Sequence, residues 1–226
     1  MSHSMSHSTM SNPELGPIRE ELANRTLQLC AIPSETSFEE AIADFVEGLC
    51  VEMAGEQAVA RIGNSVVCDP AQALSGVPTV ALVGHLDTVR CADRQRTEIS
   101  EDRVYGCGAS DMKGGIATML ALLSRWPSLR SARPVWIFYD GEEGPADENG
   151  LEPVLQSGIV PPLDLAIVLE PTDRAVQMGC MGTLHAVLTL RGKRAHSARP
   201  WQGDNAIYKA PDLIRKFAAL ERREVR

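Results

Sequence analysis

The stretch TVALVGHLDTV, residues 79–89, decides the fold of this 226-residue chain. Its first five residues are continuously apolar, which is typical of a strand that is buried on both faces of a sheet. His85 and Asp87 follow this run directly. Because ligands bind at the carboxyl ends of strands in open α/β sheets, the stretch predicts a buried strand with chemically useful side chains at its end.

Strands and helices alternate on both sides of this stretch. Two further apolar runs predict buried strands, at residues 135–139 and 165–169. Apolar residues at helical spacing predict three helices, over residues 17–29, 38–49 and 114–125. This alternation predicts the α/β fold class, with a mainly parallel sheet sandwiched by helices.

Two local signals add detail to this outline. Ser37, with Glu40 three residues later, fits a capping box at the start of the second helix. The dipeptide Gly63-Asn64 favours a turn, so residues 55–67 predict a strand, a turn and a second strand.

A change of pattern near residue 180 predicts a second domain. Polar and apolar residues alternate over 183–190, as expected for a half-exposed antiparallel strand. A helix is predicted from about Asn205 to Glu221, with an interruption or a new start at Pro211. We therefore expect a disordered Ser/His/Met-rich leader, a main α/β domain and the beginning of a smaller α+β domain, at residues 1–12, 13–180 and 181–226.

The composition excludes several classes of partner. The chain has 30 acidic and 22 basic residues, and its net charge of −8 argues against nucleic acid, whose phosphates need clustered Lys and Arg. No apolar run approaches the roughly 20 residues that span a bilayer, so no membrane role is expected. The six cysteines form no C-x-x-C pair and no export signal precedes them, which predicts reduced thiols and a cytoplasmic location.

Four short polar motifs follow the predicted strands or begin a helix. They are GHLDTV, GASDMKGG, DGEEG and LEPT, at residues 84–89, 108–115, 140–144 and 169–172. Taken singly, each has an ordinary explanation. The first can be a turn that caps the sheet, the second a helix N-cap at Asp111, the third a solvated acidic turn, and the fourth a carboxylate, Glu170, paired with an arginine.

Taken together, the motifs predict a metal site. The imidazole of His85 can bind a metal while a nearby carboxylate, such as that of Asp87, accepts its other N–H. The two oxygens of Asp111 can bridge two metals about 3.5–4 Å apart. Glu142 and Glu143 diverge in direction, so one can hold a metal and the other the water between the metals.

Glu170 completes the predicted set of ligands. It follows an apolar strand, and a carboxylate in such a place needs a partner because burying an unpaired charge is costly. One imidazole with several carboxylates is a mixed nitrogen and oxygen donor set that suits zinc.

In their order and their residues, the four motifs resemble those of the metallopeptidase family that contains succinyl-diaminopimelate desuccinylase, acetylornithine deacetylase, aminoacylase and glutamate carboxypeptidase. The resemblance runs from about residue 24 to the end of the chain. The residues of the motifs are most similar to those of desuccinylases of the actinobacterial type. It implies a two-zinc exopeptidase-like α/β domain, with Co²⁺ as an alternative metal, and a smaller lid domain.

The resemblance also implies a role for each side chain. By this resemblance, His85 and Glu170 would bind one zinc and Glu143 would bind the other. Asp111 would bridge the two. Asp111 often precedes a cis peptide bond in this family, which here would be Asp111–Met112. Asp87 would support the metal ligands, and Glu142 would be the general acid and base.

Residues 191–207, RGKRAHSARPWQGDNAI, resemble the start of the family's lid. By this resemblance His196 would cross a dimer interface and polarise the scissile carbonyl in the partner's site, and Arg199 and Asn205 would bind substrate. The residues alone leave a choice. A loop histidine can donate to an oxyanion or be solvated, and arginines such as Arg194 can hold a carboxylate-bearing acyl group or be ordinary surface residues.

The function implied is hydrolysis of an N-acyl amide bond by a cytoplasmic homodimer. The first substrate to consider is N-succinyl-LL-2,6-diaminopimelate, split into succinate and LL-diaminopimelate on the way to lysine and cell-wall precursors. Acetylornithine deacetylase and a related dipeptidase or aminoacylase are the alternatives among enzymes.

The family contributes one more zinc-binding histidine after the lid, whereas this chain ends at Arg226. His185 is the remaining candidate, but it alternates with apolar residues on a predicted strand. A C-terminally truncated desuccinylase is therefore expected. The alternative is a non-catalytic metal-binding or dimerising remnant.

Overall fold

The computed structural model describes residues 15–91, 96–173, 175–179 and 186–220. The chain divides into two compact units, Met1–Val176 and Gln177–Arg226. The predicted leader, the domain change near residue 180 and His185 all lie outside the described residues. Among the described residues, no helix combines the length and the apolar character that crossing a bilayer requires.

The first unit is built on a five-stranded mixed sheet. In chain order the strands of this unit are β1 (Val59–Ile62), β2 (Ser65–Cys68), β3 (Thr79–His85), β4 (Glu98–Ser100), β5 (Arg103–Tyr105), β6 (Arg133–Tyr139) and β7 (Leu165–Val168). The large sheet has the order β1-β2-β6-β3-β7, while β4 and β5 form a separate hairpin. β3 runs parallel to both β6 and β7, and the predicted β1–β2 hairpin is antiparallel.

Helices cover both faces of the sheet, as predicted. They are α1 (Leu15–Cys30), α2 (Glu40–Ala54), α3 (Gly114–Leu123) and α4 (Leu151–Gln156). Side chains alternate across each strand, so Trp136 and Phe138 pack with the cluster that contains α2 and α3 residues. Val135 and Ile137 point to the other face, where they pack with Val154 of α4. Burial of these side chains fixes which face of the sheet each helix covers.

Two predictions about this unit are wrong, and one hairpin was not predicted. β7 was expected to be buried, but all four of its residues are exposed because it is the edge strand and has one described neighbour, β3. The capping box at Ser37 does not form: Ser37 has a positive φ of 74°, its backbone N–H donates to Glu39 Oε1, and α2 begins after Glu39. The β4–β5 hairpin lies in a stretch that carried no strand signal.

The second unit contains three short helical segments among its described residues, the first of them a 3₁₀ turn (Pro200–Gln202). Backbone hydrogen bonds join Lys193 and Asp204 in both directions. A 3₁₀ turn (Ala206–Lys209) precedes α5 (Pro211–Ala218), so the predicted interruption at Pro211 is confirmed. Residues 186–190 form no strand, contrary to the predicted alternating strand, whose first three residues lie outside the described ranges.

Candidate metal centre

The parallel strands bring the polar motifs to one edge of the sheet. His85 ends β3 and is in register with Tyr139 at the end of β6, which leads directly into the DGEEG turn. Glu170 follows β7, the other parallel neighbour of β3. Asp111 comes from the loop that enters α3. The carboxyl ends of three adjacent strands thus converge on His85, as the sequence predicted for a ligand site in an α/β sheet.

His85 lies at the centre of a first group of potential ligands. Its side chain is buried, whereas those of Asp111 and Glu170 are 53% and 34% exposed, so the group opens to solvent on the carboxylate side. Nε2 of His85 lies 3.1 Å from Asp111 Oδ1 and 3.6 Å from Glu170 Oε1. One donor atom from each of the three residues lies within 4.8 Å of the others.

A second group shares the same histidine. Donor atoms of His85, Glu142 and Glu143 also lie within 4.8 Å of one another. Glu142 and Glu143 occupy the turn after β6, which starts at Gly141 with a positive φ of 70°. The structure therefore brings together all the side chains that the sequence singled out as metal ligands, together with the predicted general acid and base.

Asp87 contacts residues of both groups of potential ligands. Its side chain is fully buried, and its two oxygens accept the backbone N–H groups of Glu142 and Glu143 at 2.9 Å each. Its backbone O lies 3.0 Å from His85 Nδ1, and its Oδ1 lies 3.3 Å from the same nitrogen. A partner on Nδ1 leaves Nε2 to face the carboxylates, the arrangement that a metal-binding histidine requires.

Burial and repulsion among the acids both raise pKa values in the site. Burial and the nearby charge of Asp111 raise the pKa of Glu143, and burial together with Asp111 raises the pKa of Glu170 to about 7, although His85 opposes the second shift. Burial opposes protonation of His85, but the hydrogen bond to Asp87 and the charge of Glu170 raise its pKa to about 9. A divalent cation would relieve the repulsion among these carboxylates, and the donor set of one imidazole with several carboxylates fits zinc.

The loop that carries Asp111 is closely packed. The Asp111–Met112 peptide bond is cis, as the family resemblance implies. Met112 is buried, and its Sδ accepts the backbone N–H of His85 at 3.2 Å. Gly115 must lack a side chain, because a Cβ there would lie 2.5 Å from the backbone O of Leu169. This contact joins the start of α3 to the residue before Glu170.

Sequence reasoning missed two residues beside this site. The Thr36 hydroxyl donates to Asp87 Oδ2 at 2.9 Å. Lys113 is buried, its Nζ donates to the backbone O of Ile32 at 2.9 Å, and burial lowers its pKa to about 8. Thr36 is distant in sequence from the motifs, and nothing in its local pattern marks it. Lys113 lies within a motif, where the buried environment of an ordinary lysine cannot be read from spacing.

The predicted reduced state is wrong for two of the six cysteines. A disulfide joins Cys91 and Cys107, whose Cα atoms are 6.0 Å apart, a usual separation for such a bond. They are 16 residues apart in the chain, and the β4–β5 hairpin folds the segment back on itself. Among the described residues, the other cysteines are free thiols: Cys30, Cys50 and Cys68.

The remaining predicted residues lie in the second unit. His196 and Asn205 line one cleft there, together with the basic side chains of Lys193 and Lys209. Nδ1 of His196 accepts the backbone N–H of Ala198 at 3.1 Å, which leaves Nε2 for another partner. Asn205 Oδ1 accepts the N–H of Ile207 at 3.0 Å and so caps the 3₁₀ turn.

Arg199 is exposed and donates its backbone N–H to the carbonyl of His196 at 2.8 Å.

Fold and site together define a metallopeptidase-type α/β protein, and comparison with known sequences gives its family. The model of peptidase family M20/M25/M40 matches residues 81–219, more than half of the chain, so the chain belongs to this family. A provisionally named succinyl-diaminopimelate desuccinylase of Mycobacterium tuberculosis is 37% identical over 211 residues, which are 92% of this chain and 58% of that protein. Succinyl-diaminopimelate desuccinylase of Corynebacterium glutamicum is 36% identical over 225 residues, with 95% and 59% covered.

The predicted family resemblance is thereby confirmed. The chain spans 58–59% of the length of these two curated relatives.

Solved structures support the fold. A tripeptidase of Staphylococcus aureus aligns with a TM-score of 0.59 at 20% identity, covering 88% of this chain and 56% of that one. An aminopeptidase of Bacillus cereus aligns with a TM-score of 0.56, with the same identity and coverage. At this level of identity the likeness concerns the fold, and it confirms the predicted α/β class.

Proposed function

We propose that this chain carries the metal-binding half of a desuccinylase that hydrolyses the N-acyl amide bond of N-succinyl-LL-2,6-diaminopimelate. One observation carries the proposal: a buried imidazole at the end of β3 faces four carboxylates, three of them from the segments after β6 and β7 and one from the loop that enters α3. The names of the two relatives that are 36–37% identical support the choice of substrate.

Two zinc ions are proposed as the cofactors, with Co²⁺ as a substitute. His85 and Glu170 would hold one ion, Glu143 would hold the other, and the two oxygens of Asp111 would bridge them. When bound, the ions would supply Lewis-acid polarisation and an acidified water. The open carboxylate side of the site supports entry of both metal and substrate.

Each protein side chain then has a distinct task. Asp87 holds Nδ1 of His85, so that Nε2 faces the metal ligands. Glu142 accepts a proton on a carboxylate oxygen from the attacking water and returns it to the leaving amine nitrogen. Its backbone N–H is tied to Asp87, which limits the movement of the turn during this transfer.

The second unit is proposed as the beginning of a lid that forms a homodimer. His196 would donate from Nε2 to the carbonyl oxygen of a substrate in the partner's site, and Arg199 and Asn205 would bind the acyl carboxylate. Exposed apolar side chains of this unit, Trp201, Ile207 and Phe217 among them, support a role in association. We also propose a cytoplasmic location, which fits a small-molecule substrate of biosynthesis.

Replacing Glu142 tests the chemistry. Glu142→Ala should abolish hydrolysis of the succinyl substrate while zinc content stays near that of the wild type, because the proposed ligands remain. Glu52→Ala, an exposed acid on α2, is the matched control and should be fully active. Turnover by Glu142→Ala would remove this residue from the role.

Metal content tests the class of protein. Chelation should stop hydrolysis and added zinc should restore it, and N-acetylornithine and dipeptides should be poorer substrates than the succinyl compound. A rate that resists chelation would refute the metal-dependent reaction. Zinc binding without turnover of any of these substrates would instead favour a non-catalytic metal-binding protein.

A further inference from the structure

The loop between α1 and α2 contacts the candidate metal centre, although it contributes no proposed ligand. From this loop the Thr36 hydroxyl reaches Asp87 Oδ2 at 2.9 Å. The backbone O of Thr88 is a second acceptor at 3.5 Å. A hydroxyl has a single proton, and the shorter bond to a charged oxygen is the stronger of the two. The hydroxyl of Thr36 is therefore committed to Asp87.

Thr36 completes the set of donors that fix the Asp87 carboxylate. Oδ2 of Asp87 accepts from Thr36 and from the N–H of Glu143, while Oδ1 accepts from the N–H of Glu142. Oδ1 also faces Nδ1 of His85 at 3.3 Å. A rotation of this carboxylate would move its contacts with the His85 ring and with the Glu142–Glu143 turn at the same time.

Backbone contacts hold the hydroxyl in its place. The N–H of Thr36 donates to Thr88 O at 3.1 Å, and the N–H of Thr88 donates to Ser34 O at 2.8 Å, so the loop is bonded to the chain just after Asp87. At the other end of the loop, the buried ammonium of Lys113 donates to Ile32 O. These contacts fix the loop from Ile32 to Thr36.

The methyl group of Thr36 makes a separate contact. A Cβ placed on Gly144 would lie 2.8 Å from Thr36 Cγ2, so the methyl group packs closely against the end of the DGEEG turn. The hydroxyl and the methyl group therefore touch different parts of the site, and substitutions that remove one or the other can separate their effects.

We infer that Thr36 is a positioning residue for the metal centre, acting through Asp87 on the His85 ring and on the Glu142–Glu143 turn. The inference rests on the proposed metal-dependent function. Loss of a residue that orients metal ligands through a hydrogen bond weakens metal affinity or activity by roughly 10- to 100-fold. Thr36→Val removes the hydroxyl and keeps the shape, whereas Thr36→Ser keeps the hydroxyl and removes the methyl group.

The experiment measures the zinc dissociation constant of the full chain by competition with a chromogenic chelator. Thr36→Val should bind zinc at least about 10-fold more weakly than the wild type, and Thr36→Ser should recover most of the affinity. Thr26→Val is the control, since it removes a buried hydroxyl that bonds to Leu22 O within α1. Its zinc affinity should match that of the wild type.

Two outcomes of the zinc measurement would overturn the inference: wild-type zinc affinity in Thr36→Val, or an equal loss in Thr36→Ser, which would assign the effect to packing. Amide hydrogen exchange of Glu142 and Glu143 in the metal-free protein gives a second readout. Exchange at both should accelerate in Thr36→Val and stay slow in Thr36→Ser, and unchanged exchange would also contradict the inference.

Neither readout needs turnover, so a chain that binds zinc without hydrolysis would refute the proposed reaction and leave the role of Thr36 measurable. A chain that binds no zinc would refute both.

Discussion

Replacing Asp87 by asparagine is expected to destabilise the metal-free protein, and the contacts of Asp87 set the size of the effect. The side chain is fully buried, and its two oxygens together accept from two backbone N–H groups and the Thr36 hydroxyl. An asparagine side chain keeps one oxygen and turns an NH₂ group toward donors on the other side. At least one hydrogen bond to a charged acceptor is lost, which costs about 1.5–3 kcal/mol.

The corresponding fall in melting temperature is about 3–12 °C, since 1 kcal/mol shifts Tm by roughly 2–4 °C in a protein of this size. Thermal unfolding at pH 7, followed by circular dichroism with metal removed, is the assay. Asp147→Asn, a substitution of an exposed acid, is the control and should change stability by no more than about 0.5 kcal/mol.

The pH dependence of stability is an independent test of the role of Asp87. Burial opposes ionisation of Asp87, but the hydrogen bonds from His85 and from the Glu142–Glu143 turn lower its pKa in the folded protein. A lowered folded pKa stabilises the protein above the unfolded value of about 3.9, and this contribution is lost as pH falls through the folded pKa. The gap between wild type and Asp87→Asn should therefore be widest between about pH 4 and pH 6.5 and shrink below about pH 4. It should also narrow as pH rises toward 9, because Asp87 raises the pKa of His85 to about 9. Equal melting temperatures at pH 7 would refute the assignment of Asp87 as the support of the site.

Three further predictions concern the proposed metal ligands, the close packing behind them and the disulfide. Zinc binding should release protons at pH 6, and zinc affinity should rise up to about pH 9, because Glu170 and His85, with pKa values of about 7 and 9, must both lose protons. Calorimetry in two buffers measures the proton release, and repeating it at several pH values measures the affinity. An affinity that does not change with pH would contradict the prediction. Gly115→Ala should lower the free energy of unfolding by about 1–3 kcal/mol and weaken zinc binding, because the added Cβ would collide with the backbone of Leu169. Gly48→Ala, where a Cβ meets nothing within 4 Å, is the matched control for both measurements. A non-reducing peptide map should recover Cys91 linked to Cys107, and recovery of both as free thiols would show that the pair is reduced.

Much of the fold could be predicted from local pattern. The apolar run before His85 and the run over 135–139 became the adjacent inner strands β3 and β6, and the turn signal at Gly63-Asn64 became the β1–β2 hairpin. These predictions succeeded because burial on both faces of a sheet leaves a continuous apolar run, and because the Gly-Asn pair favours a turn; both signals are local in the sequence. The 165–169 run has the same apolar character, yet β7 is exposed because its position at the edge of the sheet depends on which strands pair.

The candidate site likewise combines features that the sequence predicts with features that depend on the tertiary structure. The sequence by itself determined which residue types were present, one histidine and several acids after strands, and parallel strand order made their convergence foreseeable. Only the tertiary structure decided that Asp87 bonds the Glu142–Glu143 turn, that Thr36 bonds Asp87 across 51 residues, and that Cys91 meets Cys107. Such contacts join segments distant in the chain, and their geometry comes from the packing of whole elements, which no local period records.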